Sequence, residues 1–219
     1  MVRVSYRDID SSRNLEQAVQ LIHEQGLVVY PTDTLYGAGG DFFSPAVIQK
    51  LDRLKGRADL PYSVILWDIA SVAELVEHVP PLFDAIYHQF LPGKYTFLLK
   101  AASAIDRTLL KGSEKIGIRI PHAPPILRLV EKLARPLITT SINMHGESPA
   151  NSPSEIDEFF HRRQMSDELA LMIDDGPLPP SKGSTIVDLS GDRVSIPRRG
   201  EGFETICSFL KKTLPNWQP

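Results

Sequence analysis

The 219-residue sequence is poor in the features that mark several large protein classes. It has a single cysteine, Cys207, so no intramolecular disulfide can form, and a reducing compartment is expected. No apolar run approaches the roughly 20 residues of a membrane-spanning helix. The first residues, MVRVSYRDID, lack the apolar centre of a signal peptide. These absences point to a cytoplasmic chain without membrane association. There is no excess of positive charge. The net charge is -3 and the sequence pI about 6.1, so no global field draws nucleic acid, although a local basic patch stays open. There is no CxxC pair and no close histidine pair, so no metal site is expected. The GxGxxG fingerprint, the GK[ST] of a phosphate loop and the GxSxG of a hydrolase elbow are also missing.

What is present is an alternation of helix and strand. Ser12 is placed to cap a helix whose apolar positions are Leu15, Ala18, Val19 and Ile22, ending at Gly26. Residues 27–30 read as a buried strand. Ser44-Pro45 opens a helix that stops at Gly56. Further strands are expected at 62–67, 95–101, 115–121, 136–141 and in "LALMID", "STIVDL" and "RVSIP". Further helices are expected in "SVAELVEHV", "LFDAIYHQFL", "PPILRLVEKLA", "PSEIDEFFHRR" and "FETICSFLKK". No linker divides the chain. The reading is one α/β domain over residues 1–219, a sheet covered by helices on both faces, with ligands gathered where strands end.

Four stretches can carry chemistry. "VVYPTDTLYGAGG" places Thr32, Thr34, Tyr36 and three glycines where a strand surfaces. It forms either a tight turn or the wall of a polar site close to the backbone. "QKLDRLKGR" puts Lys55 and Arg57 around a helix-ending glycine. That is either a solvated helix end or a cation pair aimed at phosphate. "ITTSINMHGESPAN" ends a strand in hydroxyls, with Ser141 and Asn143 on one side of an extended chain. "KGSTIVDLSGDRVSIPRRGEG" has Ser184 before a strand and Arg198 before a glycine loop. Arg119, inside the apolar alternation of "GIRIP", needs a partner or a solvent-filled cleft.

In order along the chain, "YPTDTLYGAGG", "KGR", "LPGKYTFLLK", "GIRIP", "TSIN…SPA", "DDG…GSTIVDL" and "IPRRG" resemble the YrdC/Sua5/YciO family, best known for threonylcarbamoyl-AMP synthase. The resemblance spans residues 27–200. It implies a YrdC-like twisted mixed β-sheet with helices on both faces and a central basic cavity. It implies formation of threonylcarbamoyl-AMP and pyrophosphate from L-threonine, bicarbonate and ATP, with Mg²⁺ held mainly by phosphates. The product would serve the N6-threonylcarbamoyl modification of adenosine in tRNA. tRNA or double-stranded RNA, and the tRNA threonylcarbamoyl-transfer machinery, are the implied macromolecular partners. By motif position, Thr34 and Arg119 hold threonine, with Thr139 and Ser184 beside them and Thr32 on the same wall. Arg57, Lys115, Ser141, Pro149 and Arg198 face the nucleotide. Lys55, Arg57, Ser141 and Asn143 carry the chemistry.

The sequence also departs from the family pattern. Leu60 replaces a polar nucleotide contact, and Ile65 stands where some members have a histidine touching threonine. The usual Arg-Pro-Gly is Arg198-Arg199-Gly200. Two branches therefore stay open: a synthase, and a YciO-like protein that binds RNA or nucleotide, or acts on a carbamoyl-adenylate.

Overall fold

The computed structural model describes residues 1–144 and 146–218. The chain begins with β1 (Val2–Ser5), α1 (Ser12–His23), β2 (Leu27–Pro31), β3 (Tyr36–Asp41) and α2 (Pro45–Lys55). β4 (Ser63–Ile65), α3 (Ile69–Ala73), α4 (Pro81–Phe90), β5 (Tyr95–Lys100) and β6 (Lys115–Arg119) follow. Then come α5 (Pro124–Leu133), β7 (Leu137–Ser141), α6 (Pro153–Arg162) and β8 (Leu169–Asp174). β9 (Thr185–Asp188), β10 (Ser195–Arg198) and α7 (Phe203–Thr213) complete it.

Among the described residues, ten strands form one mixed sheet in the order β1-β8-β2-β3-β7-β4-β6-β5-β9-β10. Side chains alternate across it, as the period of two requires. Along β2, Leu27 and Val29 enter one apolar cluster, whereas Val28 and Tyr30 enter the other. The first cluster takes in α2, α4, α6 and α7 through Leu51, Phe83, Phe160 and Ile206. The second takes in α1 and α5 through Ile22 and Leu129. Helices therefore cover both faces.

Most boundaries agree with the local chemistry. Ser44 accepts a hydrogen bond from Val47 N at the start of α2, and Ser152 and Glu155 close a capping box on α6. The first helix is capped by Ser11 rather than Ser12. The helix expected across "SVAELVEHV" shrinks to α3, because its later backbone is taken by β5. Val76 bridges Ala101, and Glu77 N donates to Lys100 O. Two strands lie outside the sequence expectation, β1 and the glycine-rich β3.

β3 decides the meaning of "YGAGGD". It is a buried central strand, antiparallel to both β2 and β7. A Cβ on Gly39 would collide with the Ile138 carbonyl oxygen of β7. Gly39 thus serves strand packing, and Gly40 faces Val47 of α2. Gly37 alone of the three lines a cleft.

Candidate functional site

One end of this cleft is built where α2 and β7 finish. α2 stops because Gly56 adopts a left-handed conformation, φ 64°, and Arg57 N donates back to Asp52 O. A Cβ there would strike Met144 Cε, so the chain beyond β7 sits directly on the turn. Lys55 is carried inward and is only 4% exposed. Its Nζ donates to Ser141 O at 2.9 Å and to Asn143 Oδ1 at 2.5 Å. Ser141 Oγ also donates to Asn143 Oδ1, at 2.7 Å. Burial, and then the charge of nearby Arg57, push the Lys55 pKa down to about 8. The solvated helix end is therefore not what the structure has. Arg57 lies beside it, its guanidinium 5.5 Å from the Tyr62 ring centroid and its Nη1 donating to Leu60 O.

The other end is built on strand ends. The β2–β3 turn is tied by Thr32, whose Oγ1 donates to Leu35 O and accepts from Thr34 N and Leu35 N. This leaves Thr34 facing Arg119 of β6, with Arg119 Nη2 3.2 Å from Thr34 Oγ1 and 3.4 Å from Asp33 Oδ1. Burial lowers the Arg119 pKa, against the opposing pull of Asp33. Arg198 reaches in from β10. Its Nη2 donates to Ser184 Oγ at 2.8 Å and its Nε to Ser184 O at 2.9 Å. Ser184 and Thr96 are both buried and share a 2.7 Å hydroxyl contact. Burial and then the Arg119 charge lower the Arg198 pKa, so the two guanidinium groups feel each other. Lys115 donates to Asp188 Oδ2 at 2.6 Å. Burial raises the Asp188 pKa, but hydrogen bonds from Lys115 and Ser190 outweigh it and hold the carboxyl low.

Both ends open into one cleft of about 690 Å³. Lys55, Arg57, Ser141 and Asn143 line it, as do Thr34, Arg119, Thr139, Ser184, Lys115 and Arg198. Thr32 and Pro149 do not. The Thr32 hydroxyl is consumed by its own turn, and Pro149 lies on the segment beyond β7. The sequence reading missed Tyr62, Thr96 and Asp33. Thr96 had a local clue, a hydroxyl in the apolar run of β5. Ile65 is fully buried among Tyr30, Leu137 and Ile126. Leu60 is exposed at the cleft wall.

A second hollow of about 630 Å³ lies between Leu82, Leu189 and Trp217. Its charged lining residues, Asp192 and Arg193, are exposed, and it has none of the buried cations and hydroxyls of the first. The chemistry therefore points to the first. Among the described residues no group of three His, Cys, Asp or Glu side chains could hold a metal ion, and no helix is long and apolar enough to cross a membrane.

This arrangement can hold an anion at each end and orient it with hydroxyls, with no nucleophile required from the protein. Comparison with known proteins gives the chain a family context. A Mus musculus protein named threonylcarbamoyl-AMP synthase is 30% identical over 206 residues, covering 90% of this chain and 71% of the relative. The Escherichia coli "Uncharacterized protein YciO" is 28% identical over 197 residues, covering 89% of this chain and 93% of the relative. The structure of P. abyssi Sua5 complexed with L-threonine superposes with a TM-score of 0.84 at 25% identity. That match covers 97% of this chain and 60% of that one, so the chain spans less than two thirds of the Sua5 length. The family model Sua5_yciO_yrdC, described as telomere recombination, matches residues 20–200. The chain belongs to the Sua5/YciO/YrdC family.

Proposed function

We propose that the chain is an L-threonylcarbamoyladenylate synthase, acting as a single domain over residues 1–219 in the cytoplasm. The observation that carries this reading is the cleft itself. Buried or half-buried cations stand at both of its ends, with hydroxyls between them. Threonine, an amino acid with a carboxylate, and ATP, with its triphosphate, are the two anions that such a cleft would hold side by side. The Sua5 relative crystallised with L-threonine supports the first of these.

In the proposed reaction, bicarbonate condenses with the threonine amine to give a carbamate and water. A carbamate oxygen then attacks the α-phosphorus of ATP. The bond from that phosphorus to the oxygen leading to the β-phosphate breaks, and pyrophosphate leaves. Arg119 pairs with the threonine carboxylate, and Thr34, Thr139 and Ser184 orient the amino acid. Lys55, Arg57 and Arg198 neutralise the phosphates, while Ser141 and Asn143 fix Lys55. Lys115 faces the nucleotide from the far wall. Mg²⁺ would enter with ATP, held by phosphate oxygens and water, and would offset charge on the departing pyrophosphate. The product would supply tRNA N6-threonylcarbamoyladenosine, with tRNA or double-stranded RNA and the transfer machinery as downstream partners.

A second reading, a YciO-like protein that binds RNA or nucleotide or acts on a carbamoyl-adenylate, is favoured by two positions. The Leu60 side chain offers no polar group to a nucleotide, and Ile65 is turned into the core. One experiment separates the readings: incubation with ATP, bicarbonate and each amino acid in turn, following adenylate and pyrophosphate by mass spectrometry. Threonine-dependent threonylcarbamoyl-AMP is the expected result. Nucleotide binding without pyrophosphate release would favour the second reading.

A further inference from the structure

Arg57 is held from below by a group of residues that the proposed reaction does not use. Its guanidinium lies over the Tyr62 ring, Cζ 5.5 Å from the centroid. Tyr62 is 5% exposed, and its hydroxyl donates to Asp52 Oδ1 at 2.9 Å. The other carboxylate oxygen of Asp52 accepts from Lys111 Nζ, and both side chains of that pair are largely buried. Lys111 has φ 54°, an uncommon conformation for a residue other than glycine, in the turn that aims it at Asp52. The carbonyl of Asp52 meanwhile accepts Arg57 N at the end of α2. One residue thus fixes both the backbone of Arg57 and the ring beneath its side chain. Arg57 Nη1 is tied to Leu60 O, and its buried Nε has no partner among the described residues.

We infer that Tyr62 is a positioning residue, an aromatic bed locked by Asp52 and Lys111 that holds the Arg57 guanidinium over its ring and turned to the polyphosphate of a nucleotide. The inference rests on the reading of Arg57 as a phosphate contact. An arginine held over a ring by cation–π attraction loses less freedom when it takes a bidentate oxygen partner, so its affinity for phosphate rises. The ring matters for this role, and the hydroxyl matters only through its hold on the ring.

The test is binding of two probes, ATP and inorganic tripolyphosphate, to the full chain by calorimetry. Tyr62→Leu should weaken both by the same factor, about tenfold. Tyr62→Phe keeps the ring and should lose no more than about threefold. In an Arg57→Met background Tyr62→Leu should change little, since no cation is left for the ring to position. Tyr62→Met serves the same comparison if thermal melting shows that Tyr62→Leu does not fold. Loss of ATP binding with tripolyphosphate binding intact would overturn the inference, because the ring would then be touching the base. So would additive effects of the Tyr62 and Arg57 changes, or no effect of removing the ring. If the wild-type chain binds neither probe, the phosphate reading fails and the inference falls with it, a result distinct from wild-type binding that ignores Tyr62.

Discussion

The cations that line the cleft differ from those on the outside of the molecule. Outside, Lys50 and Arg53 both meet Glu168, Arg128 meets Asp10, Arg135 meets Asp41 and Lys100 meets Glu77. Inside, among the described residues, Lys55, Arg57 and Arg198 have no carboxylate within ion-pair distance. Lys55 and Arg198 are satisfied by carbonyls, an amide and a hydroxyl. Arg119 has Asp33, but only at 3.4 Å and through one nitrogen. An exposed pair in water adds little stability, about 0–1 kcal/mol. Lys55, buried with only neutral partners, costs the fold, and that cost would be recovered on binding an anion, whereas Arg57 is half-buried and Arg198 exposed, so they carry less of it. This contrast supports the proposed reading of the cleft as an anion site. Lys115, paired with Asp188, is the intermediate case.

The sharpest way to break this contrast is at Arg119. Arg119→Leu keeps an apolar strand in β6, so the fold should survive, as thermal melting would report. Threonine-dependent pyrophosphate release should fall by about a hundredfold or more, since a charge-assisted pair with the carboxylate is lost. A folded variant with wild-type threonine dependence would place the amino acid elsewhere. The next effect compares an inner cation with an outer one four residues away. Arg57→Ala should weaken ATP binding by about ten- to a hundredfold. Arg53→Ala removes a partner of Glu168 on the exposed face and should stay within about threefold. Equal losses in a direct binding measurement would mean a diffuse basic surface and not a built phosphate site.

How far this contrast was legible in the sequence depends on how local its causes are. Arg119 was legible because a charge inside "GIRIP" violates an alternating strand. The sharp end of α2 was legible because Gly56 follows a run of helix formers. Lys55 was not. A lysine in the last turn of a helix reads as a solvated group favourable to the dipole, and only the packing of the chain after β7 against Gly56 buries it. β3 was missed for a related reason. Glycine is a poor strand former, and the need for Gly39 comes from Ile138 on a strand about 100 residues away. In Thr32 the residue type was readable and its direction was not, because the choice between cleft and turn is made by Leu35 O and two backbone amides.

Thr34 offers a smaller perturbation of the same end of the cleft. Thr34→Val keeps the shape of the turn and removes only the hydroxyl that accepts from Arg119. The loss in threonine-dependent turnover should be about tenfold, less than for Arg119→Leu, because one hydroxyl is lost while the guanidinium charge stays. Steady-state kinetics at varied threonine would show it. A loss larger than that of Arg119→Leu would reverse the order of importance at this end.

The mildest test uses pH and asks whether Lys55 is the reserved charge that its surroundings suggest. Its pKa is about 8 in the folded chain, against an ordinary 10.5. Between those values the unfolded chain holds more protons, so this residue makes stability rise with pH across that window. The cost of keeping the charge buried, on the order of 3 kcal/mol, is fully present below about pH 8 and is gone by about pH 10.5. Ligand binding runs the other way. A polyphosphate favours the charged lysine, so affinity should fall by roughly fourfold between pH 7 and 8.5 as the free chain loses that proton. Binding at pH 8.5 should then take up a proton, which calorimetry in two buffers of different ionisation enthalpy would detect. Lys55→Met should abolish the uptake, weaken ATP binding and raise thermal stability at pH 7, since a buried charge becomes an apolar chain of similar length. Proton uptake that persists in Lys55→Met would assign the titration to another group. A loss of stability in that variant would mean that the bonds to Ser141 and Asn143 outweigh the cost of burying the charge.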